Sequence, residues 1–302
     1  MRLWIALLAV AALATSGCSI KRMAVNTVAN TLSESGDTFS SDNDPDLVRD
    51  AVPFALKLYE SLLQSVPDHR GLLLSTCSGF TQYAYAFVQT EADIIEPTDY
   101  TEALRLRDRA LKLYLRGRTY CLRALEGRRR GVVGRLQLDP ANALGWAKDD
   151  DVPLLYWTGA SWGAAISVGQ DKPELVADLP AVRALLERAL ALDEDYDRGA
   201  LHALMISLEA LPVTMGGSPE RARKHFERAV ELSGGTDPGP YVTLASSVSV
   251  PAQNRAEFVR LLEQALAIDP EQHPSTQLAT LVAQKRARHL LSRVDDLFVA
   301  LD

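Results

Sequence analysis

The sequence predicts an all-α fold assembled from helical pairs. Three observations carry this. Apolar residues recur at steps of three and four along almost the whole chain, the helical period. The composition is rich in Ala, Leu, Arg and Glu, and no segment alternates convincingly as a strand. One pattern also occurs five times: a small or apolar residue, a large one four later, and usually a small or apolar one three after that, often with a turn residue five further on.

Residues 1–17 read as a targeting segment. Arg2 is its charged start and Leu3–Leu13 its apolar run, too short to span a bilayer comfortably. Thr15, Ser16 and Gly17 before Cys18 resemble the lipobox of a bacterial lipoprotein signal, with Thr15 where leucine is usual. The resemblance implies cleavage before Cys18 and acylation there, with several chains giving lasting anchorage. Ser19, rather than Asp, favours the outer membrane by analogy with enteric bacteria. Losing Arg2 takes the formal charge from −7 to −8. An acidic, exported chain argues against nucleic acid as partner.

Residues 18–44 form an N-terminal tether, with a short helix over Met23–Leu32 and a polar link. Asp42, Asp44 and Asp46 suggest a calcium loop, but Pro45 and the missing glycine and closing glutamate spoil it. Asp44 as N-cap with Pro45 at the first helical position explains the cluster, and no metal site is expected.

Residues 45–302 are then a helical domain. The repeated pattern is Ala55/Tyr59/Leu62, Ala103/Arg107/Ala110, Val182/Leu186/Ala189, Ala222/Phe226/Ala229 and Phe258/Leu262/Ala265. It resembles the second helix of a tetratricopeptide repeat (TPR), implying TPR-like hairpin repeats in a compact superhelical array. The first positions lie 48, 79, 40 and 36 residues apart, so the repeats are stretched against a nominal period of about 34. Ser218-Pro219-Glu220 marks a helix start, and Ser275–Leu301 reads as a long terminal helix capping the array.

Asp151–Gly169 is apolar nearly all round and is predicted as the central buried helix, with Asp151 as its N-cap. Leu155, Trp162 and Ile166 share one face; Trp157, Ser161, Ala164 and Val168 share another. The reading therefore makes Trp162 core and places Tyr156 and Trp157 at an internal cavity. His202, beside small residues in GALHAL, either borders that cavity or is a satisfied half-buried histidine. Phe80, Tyr83 and Phe87 form an apolar face, while Gln82, Tyr85 and Gln89 form a polar one; Tyr85 is a further cavity candidate. Arg128–Arg130 close a long helix, as dipole complement or docking patch. Cys77 and Cys121 lie on successive helices and read either as a disulfide or as two buried thiols. No P-loop, dinucleotide fingerprint, HExxH or GxSxG occurs, so neither an enzyme nor a cofactor is expected.

Seven ordered blocks carry a wider resemblance. They are the Cys18 lipobox, DNDPDLVRDAVPFALKLYESLL at 42–63, GFTQYAYAFVQTEAD at 79–93, ALKLYLRGRTYCLRALE at 110–126, DVPLLYWTGASWGAAI at 151–166, YDRGALH at 196–202 and MGGSPERARKHFERA at 215–229. Together they resemble the T-component family of tripartite ATP-independent periplasmic (TRAP) transporters. The resemblance implies a periplasmic lipoprotein that forms a homotrimer and associates with the periplasmic substrate-binding protein. It also implies a cavity or pore suited to a hydrophobic ligand. The alternative from another class is a TPR peptide-binding lipoprotein of envelope assembly, with a polar concave groove.

Overall fold

The computed structural model describes residues 25–31 and 37–299. Cys18 and the predicted targeting segment lie outside them. Among the described residues every regular element is helical. The main helices are α1 (Pro45–Ser65), α2 (Arg70–Tyr83), α3 (Tyr100–Arg128), α4 (Val152–Val168), α5 (Leu179–Leu192), α6 (Tyr196–Glu209), α7 (Pro219–Ser233), α8 (Gly239–Leu244), α9 (Arg255–Ala267) and α10 (Gln277–Ser292). Two continue into π-helical turns, α2 through Ala84–Gln89 and α8 through Ala245–Ser249.

Local chemistry starts these helices where the sequence places the signals. The Asp44 carboxylate accepts from the N–H groups of Asp46 and Leu47, with Pro45 in the first turn. Ser218 caps α7 through Arg221 N–H. Asp151 departs from expectation. A 3-10 turn, Asp149–Asp151, precedes α4, and the Asp151 side chain makes no cap bond to that helix. The terminal segment departs too: α10 stops at Ser292, and a separate short helix covers Val294–Leu297. Within the predicted tether, residues 25–31 are helical and mostly exposed, with Ala29 in the core and Asn30 Oδ1 2.9 Å from His69 Nε2.

The last three instances of the repeated pattern point inward as a unit, Phe226 alone keeping partial exposure. The first is rotated: Leu56, Glu60 and Leu63 are buried along this part of α1, while Ala55, Tyr59 and Leu62 flank them. In the second, Arg107 avoids the core and pairs with Glu96 at 2.9 Å.

Helix α4 packs against α2, α3, α5 and α6, which makes it the hub of the larger core. Small residues permit the close approach: a Cβ at Gly159 would come within 2.6 Å of Leu186 on α5. The α2–α3 pair is equally tight. A Cβ at Gly117 would sit 3.0 Å from the Cys77 carbonyl oxygen, and the Cys77 and Cys121 sulfurs are 2.10 Å apart across a Cα separation of 5.5 Å. A second core gathers α8, α9 and α10 around Phe258, Leu261 and Leu262. Helix α10 turns back to touch α1 and the 90–95 continuation of α2, so the last helix meets the first ones.

Three buried carboxylates lock the helix junctions. Glu60 on α1 accepts from Arg116 Nη2 at 2.6 Å, Tyr120 Oη at 2.8 Å and Lys57 Nζ at 2.7 Å. Glu209 on α6 accepts from Arg183 of α5 at 2.6 Å and Arg221 of α7 at 2.7 Å. Asp151 accepts from Arg128 at 2.6 Å and 3.0 Å, from Arg70 at 3.0 Å and from Lys148 N–H at 3.1 Å. Arg128 is thereby committed to an internal ion pair, which explains its place at the end of α3 better than a docking patch does.

Candidate ligand-facing surface and family

The hub helix is not covered all round. Pro153, Tyr156 and Trp157 near its start and Gly163, Ala164 and Val168 near its end keep partial exposure on one side, with Ala160 and Ser161 buried between the two groups. The opposite residues Leu154, Leu155, Trp162, Ala165 and Ile166 are buried. The two tryptophans therefore differ in kind. Trp162 is 1 % exposed, donates from Nε1 to Asp178 Oδ2 at 3.2 Å and lies under the Arg118 guanidinium at 5.0 Å. Trp157 meets the Tyr156 ring edge-on at 5.0 Å.

Tyr196 is the ring that sequence reasoning missed, although it begins the YDRGALH block. Its centroid is 5.3 Å from that of Tyr156. Burial pushes the Tyr196 hydroxyl up to about 12, with Asp197 and Asp193 adding to the rise. Burial likewise raises the Tyr156 hydroxyl, with smaller contributions from Asp197, Tyr196 and Asp237. Both phenols are neutral at any physiological pH and serve as uncharged hydrogen-bonding groups.

The backbone just after Tyr196 is unusual. Asp197, Arg198 and Gly199 have φ of +46°, +57° and +93°, three successive residues in the left-handed region. Left-handed conformation costs roughly 1–2 kcal/mol for each non-glycine residue. Arg198 holds the turn by donating to the Ser233 carbonyl at 2.7 Å and to the Thr236 hydroxyl. The turn aims Tyr196 at α4 while leaving the rest of α6 to pack on α7.

The other candidate residues have different neighbours. His202 is buried and faces α7: its Nδ1 is 2.8 Å from His225 Nδ1, and its Nε2 is 3.3 Å from Glu194 Oε1. Burial lowers both imidazoles, so one neutral ring donates to the other. Tyr85 sits on the first π-helical turn, and its ring lies under the Arg286 guanidinium of α10 at 5.1 Å. The structure thus brings Tyr156 and Trp157 together with Tyr196, and sets His202 and Tyr85 against α7 and α10.

The sequence model of the TRAP transporter T-component family matches residues 41–298. The chain belongs to that family. An uncharacterised protein of Treponema pallidum (strain Nichols) is 34 % identical to it over 303 residues, covering 94 % of each chain. The matched span contains every main helix, including the exposed stripe of α4 and the Tyr196 turn. Among the described residues no helix is long and apolar enough to cross a membrane.

Proposed function

We propose that this protein is a non-catalytic periplasmic lipoprotein that binds the substrate-binding protein of a TRAP transporter and passes a hydrophobic ligand along the exposed stripe of α4. The stripe carries the reading. An apolar helix at the hub of a core is ordinarily covered on all sides, yet this one keeps an accessible face of aromatic and small residues. Tyr156 keeps partial exposure, and burial of the rest of its side chain raises its hydroxyl. Apolar, aromatic walls with a few placed hydroxyls are the usual lining of a ligand site. His202 and Tyr85 are not needed for this wall; His202 braces α6 on α7.

On this reading the helical pairs are TPR-like repeats, the assembly is a homotrimer, and Cys18 carries the acyl anchor, in the outer membrane. Export also keeps Cys77 and Cys121 oxidised. Cys18→Ser should leave the protein unprocessed or release it from the membrane fraction. Alkylation of the wild-type protein without reduction should leave Cys77 and Cys121 unlabelled. Full membrane retention of Cys18→Ser with the same cleavage would refute the anchor, and labelling of both thiols would refute the bridge. Co-purification with the cognate substrate-binding protein tests the association itself.

A further inference from the structure

A second site lies where the last helix meets the first ones. A cavity of about 160 Å³ opens between α10 and the Thr90–Ile95 continuation of α2. Arg286, His289 and Arg293 line it from α10, and Thr90, Asp93 and Glu96 from the facing segment. The space is partly open to solvent and large enough to hold a small solute, since a single water needs only about 10–15 Å³.

Its hydrogen-bonding groups do not balance. Glu96 is held by Arg107 at 2.9 Å, and Asp93 by Arg286 at 3.0 Å and Arg107 at 3.6 Å. Both acceptors are thus engaged by arginine. The donors are in surplus. Among the described residues Arg293 has one ion-pair partner, Asp296 at 3.4 Å, an exposed residue one turn along its own chain. Arg286 Nε is buried and has no hydrogen-bond partner among the described residues. An unpaired buried donor costs roughly 1–3 kcal/mol, so a complementary acceptor in the cavity is favoured.

Arg286 is also held firmly in place. Its Nη1 donates to the Thr90 hydroxyl at 3.2 Å, Thr90 in turn donates to the Tyr85 carbonyl at 2.8 Å, and the guanidinium stacks over the Tyr85 ring. The π-helical turn 84–89 supplies that support, and such turns recur at functional sites.

We propose that this cavity binds a small oxyanion, a carboxylate or phosphate group, through Arg293 and Arg286 with His289 beside them. Guanidinium groups match the paired oxygens of such anions. An anion held there would add a further bridge between α10 and the α2 segment, beside the Arg286–Asp93 and Lys285–Glu91 pairs. The site is separate from the α4 stripe and does not depend on the reading given to it.

The test is calorimetric titration of the purified protein in detergent with inorganic phosphate and, separately, with succinate, at constant ionic strength in chloride. Saturable one-to-one binding of at least one probe is expected, and which one binds identifies the anion class. Arg293→Gln should weaken that binding about tenfold or more. Asp296→Asn, which removes the charge of that neighbour, should tighten it. Lys285→Gln, which breaks only the neighbouring pair with Glu91, should leave it unchanged. All three positions are at least partly exposed, so the variants should melt near the wild type. Lack of saturation with both probes, or wild-type affinity in Arg293→Gln, would overturn the proposal.

Discussion

Trp162→Ala is expected to destabilise the protein by about 3–5 kcal/mol, while Trp157→Ala costs markedly less and instead weakens binding of a hydrophobic fluorescent probe. The difference follows from where the two side chains end. Trp162 is almost fully buried among α4, α3 and the turn before α5, and its truncation leaves a cavity, removes its bond to Asp178 and uncovers Arg118. Trp157 is half-buried, with its ring against Tyr156, which in turn lies against Tyr196. Melting curves and probe titrations on both variants decide the matter. If Trp157→Ala unfolds the protein as badly as Trp162→Ala and probe affinity per folded molecule is unchanged, both are core and the ligand surface lies elsewhere.

The second large effect is an acid limb of stability. Burial pushes the Asp151, Glu60 and Glu209 carboxyls up, but their hydrogen-bonded arginines and other donors outweigh it and hold all three below the ordinary carboxylate range. A depressed carboxyl contributes stability that is complete above its unfolded value, about 4, and is lost as pH falls toward the folded value. The lowered imidazoles of His202 and His225 act in the same direction but earlier. Their neutral forms are favoured in the fold, so stability begins to fall as pH drops below about 6.5. The melting temperature should therefore decline in two stages between pH 7 and pH 3. Asp151→Ala should lose about 1.5–3 kcal/mol at neutral pH, the range for hydrogen bonds to a charged group, because Arg70 and Arg128 keep enough exposure to rehydrate. That variant should also show a shallower lower stage. A melting temperature flat across this range would contradict the assignment of these carboxylates as junction locks.

The helical class was legible because the period of three and four pervades the chain, and the starts of α1 and α7 were legible because Asp44-Pro45 and Ser218-Pro219 are local signals. The hub helix was legible from its uniform apolarity. What the sequence hid were choices made by tertiary partners. Asp151 stands where an N-cap belongs, yet two arginines from α2 and α3 claim its carboxylate. Arg128 at a helix end looks available, yet it is the other half of that bond. His202 among small residues suggests a cavity, and only the placement of α7 reveals His225 against it. Tyr196 could have been found from YDRGALH, but its aim depends on three left-handed residues, two of them not glycine. The α10 cavity joins segments nearly two hundred residues apart, and no local pattern announces it.

The most direct test of the account is the equilibrium binding of the purified protein to the substrate-binding protein of its TRAP system, measured by sedimentation or calorimetry with and without a hydrophobic ligand. A saturable complex, with affinity altered by Trp157→Ala in the ligand-bound state, is the predicted result. No complex in either state, with the same preparation melting cooperatively as folded protein, would contradict it.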